Sequence, residues 1–462
     1  QRQMCIRDRI GSYLVLPASR WSSIISEAKS VVLYYENWWS IANMVDYYAT
    51  DSSAASPLRH FWSLSVQGQI YILWPLVFFF SWLVIRRTRV NTRALMALVF
   101  GVIFAVSLAY SVYITGADQQ TAYFNTFARV WEFALGSLVA IVMPWLSLNR
   151  YVRAVMGWVG LAMLVSCGFI FDVNGVFPGY LALWPTMAAA MIIVAGDTQT
   201  RFGPEKLLMW KPLVGLGNYS YGLYLVHWPL LVFFLYRNHA EKAGVVSGVG
   251  LLALSLVASL VLTRCVEAPL RSWRVLDRSV GRALGVVGVC VVLVLGSASG
   301  WGWKLESDVV AAERLAAVNN PGARVLDAGF VYEGEENPEI LPTGEKRTGD
   351  WPENGPDCTD VLTTTGFTSV VAKDCQYPVH NPTASKKVIA VGYSHMKIWS
   401  APIVEIAKKE NWDLQVITRG WCPFGDPASA NQSSAARNES ENCNTVDREW
   451  NDYIKEQSPD LV

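Results

Sequence analysis

Residues 58–76 read LRHFWSLSVQGQIYILWPL, and the rest of the chain is organised around them. His60 sits among aromatic residues, Ser63, Ser65, Gln67 and Gln69 follow, and an apolar run continues to Ile85. Residues 64–85 are long enough to cross a bilayer, which takes about 20 mainly apolar residues. Lipid cannot satisfy polar side chains, so those at the mouth of such a helix usually face a protein interior or a watered cavity. A plain aromatic anchor at the membrane interface is the other reading of the same residues.

Outward from this stretch, the composition divides the chain in two. Hydrophobic residues make up 52 % of the 462, but they are concentrated in apolar blocks up to about Trp303. After Trp303 the composition turns polar. The 38 basic and 38 acidic residues cancel. With no basic face and no recognition motif, this balance argues against a nucleic-acid partner.

Apolar blocks at 64–85, 94–114, 128–146, 155–172, 180–195, 213–236, 246–263 and 284–303 predict about eight spans, plus partial ones nearer the start. Residues 30–45 carry Glu36 and Asn37 and read as a weak span or an interfacial helix. Arginine and lysine in short loops mark the cytoplasmic side. Loops 86–93, 147–154, 196–212 and 264–283 are basic, and the intervening loops 115–127, 173–179 and 237–245 hold few or no basic residues. The alternation places His60 near the outer face, Glu267 to Arg271 near the inner face, and everything after Trp303 outside the membrane.

The first nine residues carry no signal-peptide or lipidation pattern, and residues 10–17 are too short to span. The sequence is therefore expected to start, and at Val462 to stop, inside a longer protein. Cys358, Cys375, Cys422 and Cys443 all fall in the polar tail. Four cysteines in an exported domain read as two disulfides, with three possible connectivities. Closing the shortest loops pairs Cys358 with Cys375 and Cys422 with Cys443. Their spacing lacks the paired knuckles of a zinc site. Residues 304–385 read as a loop-rich lead-in, 387–392 as a buried strand, 396–410 as a helix, 412–418 as a second strand and 425–442 as a polar loop. This order suggests a parallel α/β sheet.

Three clusters carry chemistry. Arg129 and Glu132 stand at i and i+3 on one helix face, and are either a structural ion pair or part of a functional cavity. His227 precedes Pro229, whose ring should free a backbone carbonyl; the histidine is either a proton-transfer group or a side chain satisfied at that kink. Ser394 follows a strand and opens a helix, as a nucleophile held near backbone N–H groups would, or as an ordinary N-cap.

The stretch HFWSLSV-x-x-Q-x-Y-x-x-WPL resembles the signature of the acyltransferase 3 family, membrane-bound O-acyltransferases of bacterial cell-surface glycans. The commonest form of that signature has two glutamates where this chain has Gln67 and Gly68. Arg129-Val-Trp-Glu132-Phe-Ala-Leu-Gly136, Ser220-Tyr-Gly-Leu-Tyr-Leu-Val-His227-Trp-Pro229 and Val266-Glu267-Ala-Pro-Leu-Arg271 are similar to further elements of the family, in the same order. The resemblance also implies an Arg and a His on a first helix, a role that no residue here takes. Val391-Gly-Tyr-Ser394-His395, with Trp399, resembles the first block of SGNH hydrolase-like domains, with Tyr393 in place of the usual aspartate.

Together these imply an α-helical polytopic membrane domain over 1–303, a lead-in over 304–385, and an extracytoplasmic, flavodoxin-like α/β SGNH domain over 386–462. The family implies acetyl-coenzyme A, or another acyl-coenzyme A, as donor. Arg264, Glu267, Arg271 and Arg274 would form its binding site, the arginines attracting its phosphates, although charges there serve topology equally well. The implied acceptor is a cell-envelope glycan, with His60, Arg129, Glu132, His227 and Ser394 as catalytic candidates. A transporter or flippase of an envelope precursor, with the tail as a binding module, is the alternative from another class. An esterase is a third.

Overall fold

The computed structural model describes residues 12, 15–43, 55–88, 90–170, 177–273, 279–338, 340–341, 351–352, 354–362, 366–419 and 434–462. The chain divides into two units, Gln1–Glu345 and Lys346–Val462.

The first unit is helical. Two short helices, α1 (Trp21–Val32) and α2 (Glu36–Ala42), replace the single segment expected over 30–45. They are separated at Tyr34, whose φ of 60° is a left-handed conformation that side chains rarely adopt. α3 (Trp62–Thr88), α4 (Thr92–Ala117), α5 (Gln119–Phe124) and α6 (Thr126–Val142) follow. The turns between them are set by short polar side chains. Asn91, Asp118 and Asn125 each cap a helix by accepting from backbone N–H groups one turn in. Then come α7 (Arg150–Ile170), α8 (Leu183–Ala195), α9 (Lys211–Asn218), α10 (Ser220–Arg237), α11 (Val245–Leu262) and α12 (Val280–Arg314).

Among the described residues six helices are long and apolar enough to cross a membrane: Arg59–Thr88, Thr92–Ala117, Thr126–Trp145, Arg150–Ile170, Val245–Arg271 and Val280–Arg314. They leave residues such as Phe79, Phe80, Val106 and Val249 more than half exposed, a surface suited to hydrocarbon. Inside, small polar side chains join the helices. Ser107 donates to the Phe127 carbonyl at 2.5 Å and receives the Trp131 N–H at 3.0 Å.

Two of the eight expected spans differ. Within 180–195 the α-helix covers only the 13 residues Leu183–Ala195, about 20 Å at 1.5 Å per residue and short of a 30 Å core. The expected span 213–236 is broken at Tyr219. Ser259 of α11 donates to the Tyr219 carbonyl at 2.7 Å, at the join of the two helices. The last long helix also runs past the expected end at 303, to Arg314.

A buried core joins Ile24, Ala28 and Val31 of α1 to Leu58 and Phe61, to Leu225 and Val226 of α10 and to Val294 of α12. The stretch that opens α3 is therefore packed against elements from both ends of the unit.

The second unit holds a three-stranded sheet of β1 (Cys375–Val379), β2 (Lys386–Gly392) and β3 (Trp412–Thr418), in the order β1-β3-β2. β2 and β3 run parallel and β1 is antiparallel to β3; Leu461 pairs in parallel with Val388 on the other side of β2. α13 (Ser394–Lys409) links the parallel strands. α14 (Ser434–Gln457) takes in residues expected to be loop. Its later turns bury Val446, Trp450 and Tyr453 at helical spacing against the sheet, and that packing recruits the polar residues before them. Cys358 and Cys375 are disulfide-bonded. Cys443 is disulfide-bonded too, whereas Cys422 lies outside the described residues.

Candidate active site

The single 3₁₀ turn Arg59–Phe61 sets His60 at the mouth of α3, where it is 6 % exposed. α10 brings His227 to the same place, with the two ring centroids 6.3 Å apart. Tyr224, one turn before His227, packs beside both, 5.3 Å from His60 and 6.0 Å from His227. Its hydroxyl donates to the His60 carbonyl and meets Ser63 Oγ at 2.6 Å. Trp228 Nε1 donates to the Ser56 carbonyl at 2.9 Å, fixing α10 against the approach to the turn.

His227 Nδ1 lies 3.0 Å from the Leu223 carbonyl. A carbonyl only accepts, so Nδ1 is the donor in this contact, and Nε2 is the nitrogen left to meet another group.

Two buried carboxylates adjoin this turn. Glu27 of α1 and Glu36 of α2 are 1 % and 0 % exposed. Ser56 donates to Glu27, and Ser40 donates to Glu36 at 2.6 Å. Burial pushes the Glu27 carboxyl up to about 7, against the pull of the Ser56 hydroxyl and Arg59. Burial, then the neighbouring Glu27, raises Glu36 well above the carboxylate range. Glu27 carried no pattern in the sequence, because its environment comes entirely from residues distant in the chain.

Arg129 is 6 % exposed. It pairs with Glu132 at 2.8 Å, donates to the Tyr123 carbonyl at 3.2 Å, and lies 5.4, 5.0 and 5.3 Å from the ring centres of Trp62, Tyr123 and Phe177. These contacts fix the guanidinium and tie it, through Trp62, to the His60 turn.

A cavity of about 660 Å³ opens along the next turns of α3. Gln67, Gly68 and Tyr71 of α3 line it together with Tyr34, Tyr221 and Arg271. The first and last family-like elements therefore meet in one cavity. Arg271 pairs with Glu267 at 3.0 Å just beyond a single π-helical turn, Thr263–Glu267, an irregularity frequent at functional sites. Arg264 is exposed and is not among the residues lining the cavity. Arg274 lies outside the described residues.

Gly68 is where α3 yields to Tyr34. A Cβ built at Gly68 would fall 2.2 Å from Tyr34 Cδ1, so only glycine admits that ring. Gln69 holds the backbone there, donating to the Tyr34 carbonyl and to Asn37 Oδ1 at 2.9 Å each. Its other end accepts from Thr126 at 2.6 Å and Trp38 at 3.2 Å. One amide so joins α2, α3 and α6.

The family model for the acyltransferase domain matches residues 6–264, more than half of the chain. The chain belongs to the acyltransferase 3 family. It is 30 % identical over 262 residues to the O-acetyltransferase OatA of Staphylococcus aureus, a match covering 53 % of this chain and 41 % of that protein. It is 31 % identical over 253 residues to the putative membrane-bound transacylase BcsY of Komagataeibacter xylinus, covering 55 % and 61 %. With the putative peptidoglycan O-acetyltransferase YrhL of Bacillus subtilis it shares 30 % identity over 220 residues, covering 46 % and 34 %. The chain thus spans less than two thirds of these relatives' length. No solved structure matches. His60, Arg129, Glu132 and His227 all lie within the acyltransferase 3 match, whereas Arg271 and the second unit lie beyond it.

In the second unit Ser394 is the first helical residue after β2, with Tyr393 at the N-cap. Met396 and Lys397 donate their N–H groups to the Tyr393 carbonyl, and among the described residues Ser394 Oγ makes no hydrogen bond. His395 is exposed, its ring 5.2 Å from Tyr393. At the same end of the sheet Arg419 donates its N–H to the Gly392 carbonyl at 3.3 Å and grips Asp374 through Nε at 3.0 Å and Nη2 at 2.9 Å. Trp450 donates to the same carboxylate at 3.1 Å.

Proposed function

We propose that the protein is a membrane O-acetyltransferase acting on a cell-envelope glycan. The observation that carries this reading is the convergence of His60 and His227 at the start of α3, the helix whose next turns line the cavity that holds Arg271, in a chain of the acyltransferase 3 family. The cavity would take acetyl-coenzyme A, with Arg271 meeting a phosphate and the tyrosine hydroxyls the polar chain. His227 Nε2 would take the proton as an acyl acceptor attacks the thioester carbonyl and the thiolate of coenzyme A leaves.

The second unit supports an SGNH-like reading in its strand, turn and helix around Ser394 and in the parallel β2–β3 pair. In that reading it lies outside the membrane. Ser394 Oγ receives the acetyl group as an ester, and a glycan hydroxyl then displaces the serine. The names of the relatives OatA and YrhL support acetyl as the group and peptidoglycan as an acceptor class.

The test is transfer of radiolabelled acetyl from acetyl-coenzyme A to envelope glycan in membranes of cells expressing the full-length protein. His227→Ala should remove transfer. A protein that moved label-free precursor across the bilayer but never acetylated it would instead be the flippase of the alternative reading.

A further inference from the structure

A second cavity, of about 490 Å³, lies far along the chain from the acyl site, between the first turns of α7 and the loop that follows α8. Its cations are Arg150 and Arg201, its aromatic walls Tyr151, Trp158 and Phe202, and its apolar side includes Val155. No acidic residue lines it.

The loop is built onto the helix. Arg153 donates to the Ala195 carbonyl at 2.8 Å and the Asp197 carbonyl at 3.0 Å, so that arginine is spent on closing the loop. Trp158 Nε1 donates to the Phe202 carbonyl at 2.7 Å. Gly157 lets the loop press close, since a Cβ there would meet Pro204 Cγ at 2.5 Å. Thr198 is 2 % exposed and donates to Glu205 at 2.8 Å, engaging that carboxylate within the loop. Among the described residues neither Arg150 nor Arg201 has a carboxylate partner.

We infer that this cavity binds the head group of an anionic membrane phospholipid, its phosphate between Arg150 and Arg201 and an acyl chain along Val155. Three observations select a lipid. The cavity sits at the end of the span Arg150–Ile170, the level where head groups lie. Tyr151, Trp158 and Phe202 are 61, 43 and 78 % exposed, an aromatic rim of the kind that settles at the membrane interface. Both flanking loops are basic, which fits the anionic cytoplasmic leaflet.

Native mass spectrometry of the detergent-purified full chain, with phosphatidylglycerol and phosphatidylcholine as probes, tests the inference. The wild type should retain phosphatidylglycerol at least 10-fold more tightly than phosphatidylcholine. Arg150→Gln with Arg201→Gln should lose that preference. Arg86→Gln with Arg87→Gln removes the same charge from another basic loop and should keep it. Val155→Trp fills the cavity without changing charge and should lose retention, so the answer does not hang on the arginine variants folding. Equal loss in the Arg86/Arg87 control, or full retention in Val155→Trp, would overturn the site. Displacement by millimolar inorganic phosphate would overturn the lipid and assign the cavity to a soluble phosphate.

Discussion

His60 and His227, from two separate sequence elements, meet edge-on with ring centroids 6.3 Å apart, and Tyr224 packs against both. Each histidine alone has an ordinary structural explanation. Their convergence at a buried turn, with His227 Nδ1 held at the Leu223 carbonyl, is the geometry on which the proposed proton transfer rests.

His227→Ala should therefore lower acetyl transfer by about 10²–10⁴-fold, the usual contribution of a general base. Tyr224→Phe keeps the ring but removes the hydroxyl that holds the His60 carbonyl and Ser63, and should give a smaller loss. Initial rates with saturating acetyl-coenzyme A compare the two; wild-type rates for His227→Ala would remove the histidine from the mechanism.

Gly68→Ala should displace Tyr34, because the added methyl meets its ring. Overpacking of this kind costs about 1–3 kcal/mol, and here the strain falls on a cavity wall. The expected signature is a raised KM for acetyl-coenzyme A, partly relieved by adding Tyr34→Ala. An unchanged KM in Gly68→Ala would detach this wall from donor binding.

Glu27 supplies a pH dependence. Its folded pKa of about 7 lies above the ordinary 4.5, so the folded state holds its proton more tightly. The resulting stability is fully present below about pH 4.5 and is lost as pH rises toward about 7. Glu27→Gln should flatten the thermal-stability profile of the solubilised chain across that window. A profile as steep as the wild type's would place the titration elsewhere.

Removing the Cys358–Cys375 disulfide, by Cys358→Ser with Cys375→Ser, should destabilise the second unit by about 3 kcal/mol, since the bond closes a loop of sequence separation 17. Limited proteolysis of the full chain should then cut within 346–462 first, while the helical unit persists. Unchanged proteolysis would mean that the buried contacts of Tyr377, Trp450 and Tyr453 suffice without it.

Ser394→Ala and Glu132→Gln should both abolish glycan acetylation in cells, for different reasons. Given a soluble activated acetyl ester in place of acetyl-coenzyme A, the purified Glu132→Gln protein should still acetylate a soluble acceptor, and the Ser394→Ala protein should not. Intact acetylation in Ser394→Ala cells would confine the chemistry to the helical unit and leave the second unit as an acceptor-binding module.

The sequence by itself determined the features that depend on local pattern. Apolar length set the long helices, and short polar residues such as Asn91 and Asn125 set their starts. An apolar run bounded by lysines and a glycine, and the apolar spacing after it, placed β2, α13 and β3 nearly to the residue. Four linear elements were enough for the family. Only the tertiary structure decided which of those elements meet. The break at Tyr219 accompanies a hydrogen bond from Ser259, and the buried Glu27 meets Ser56 and Arg59 from a distant part of the chain. The cavity joining Gly68 to Arg271 is walled by Tyr34, whose backbone is in a left-handed conformation. Sequence periodicity records which face of a helix is apolar. It carries no record of which distant side chain is delivered to that face, because that choice is made by packing.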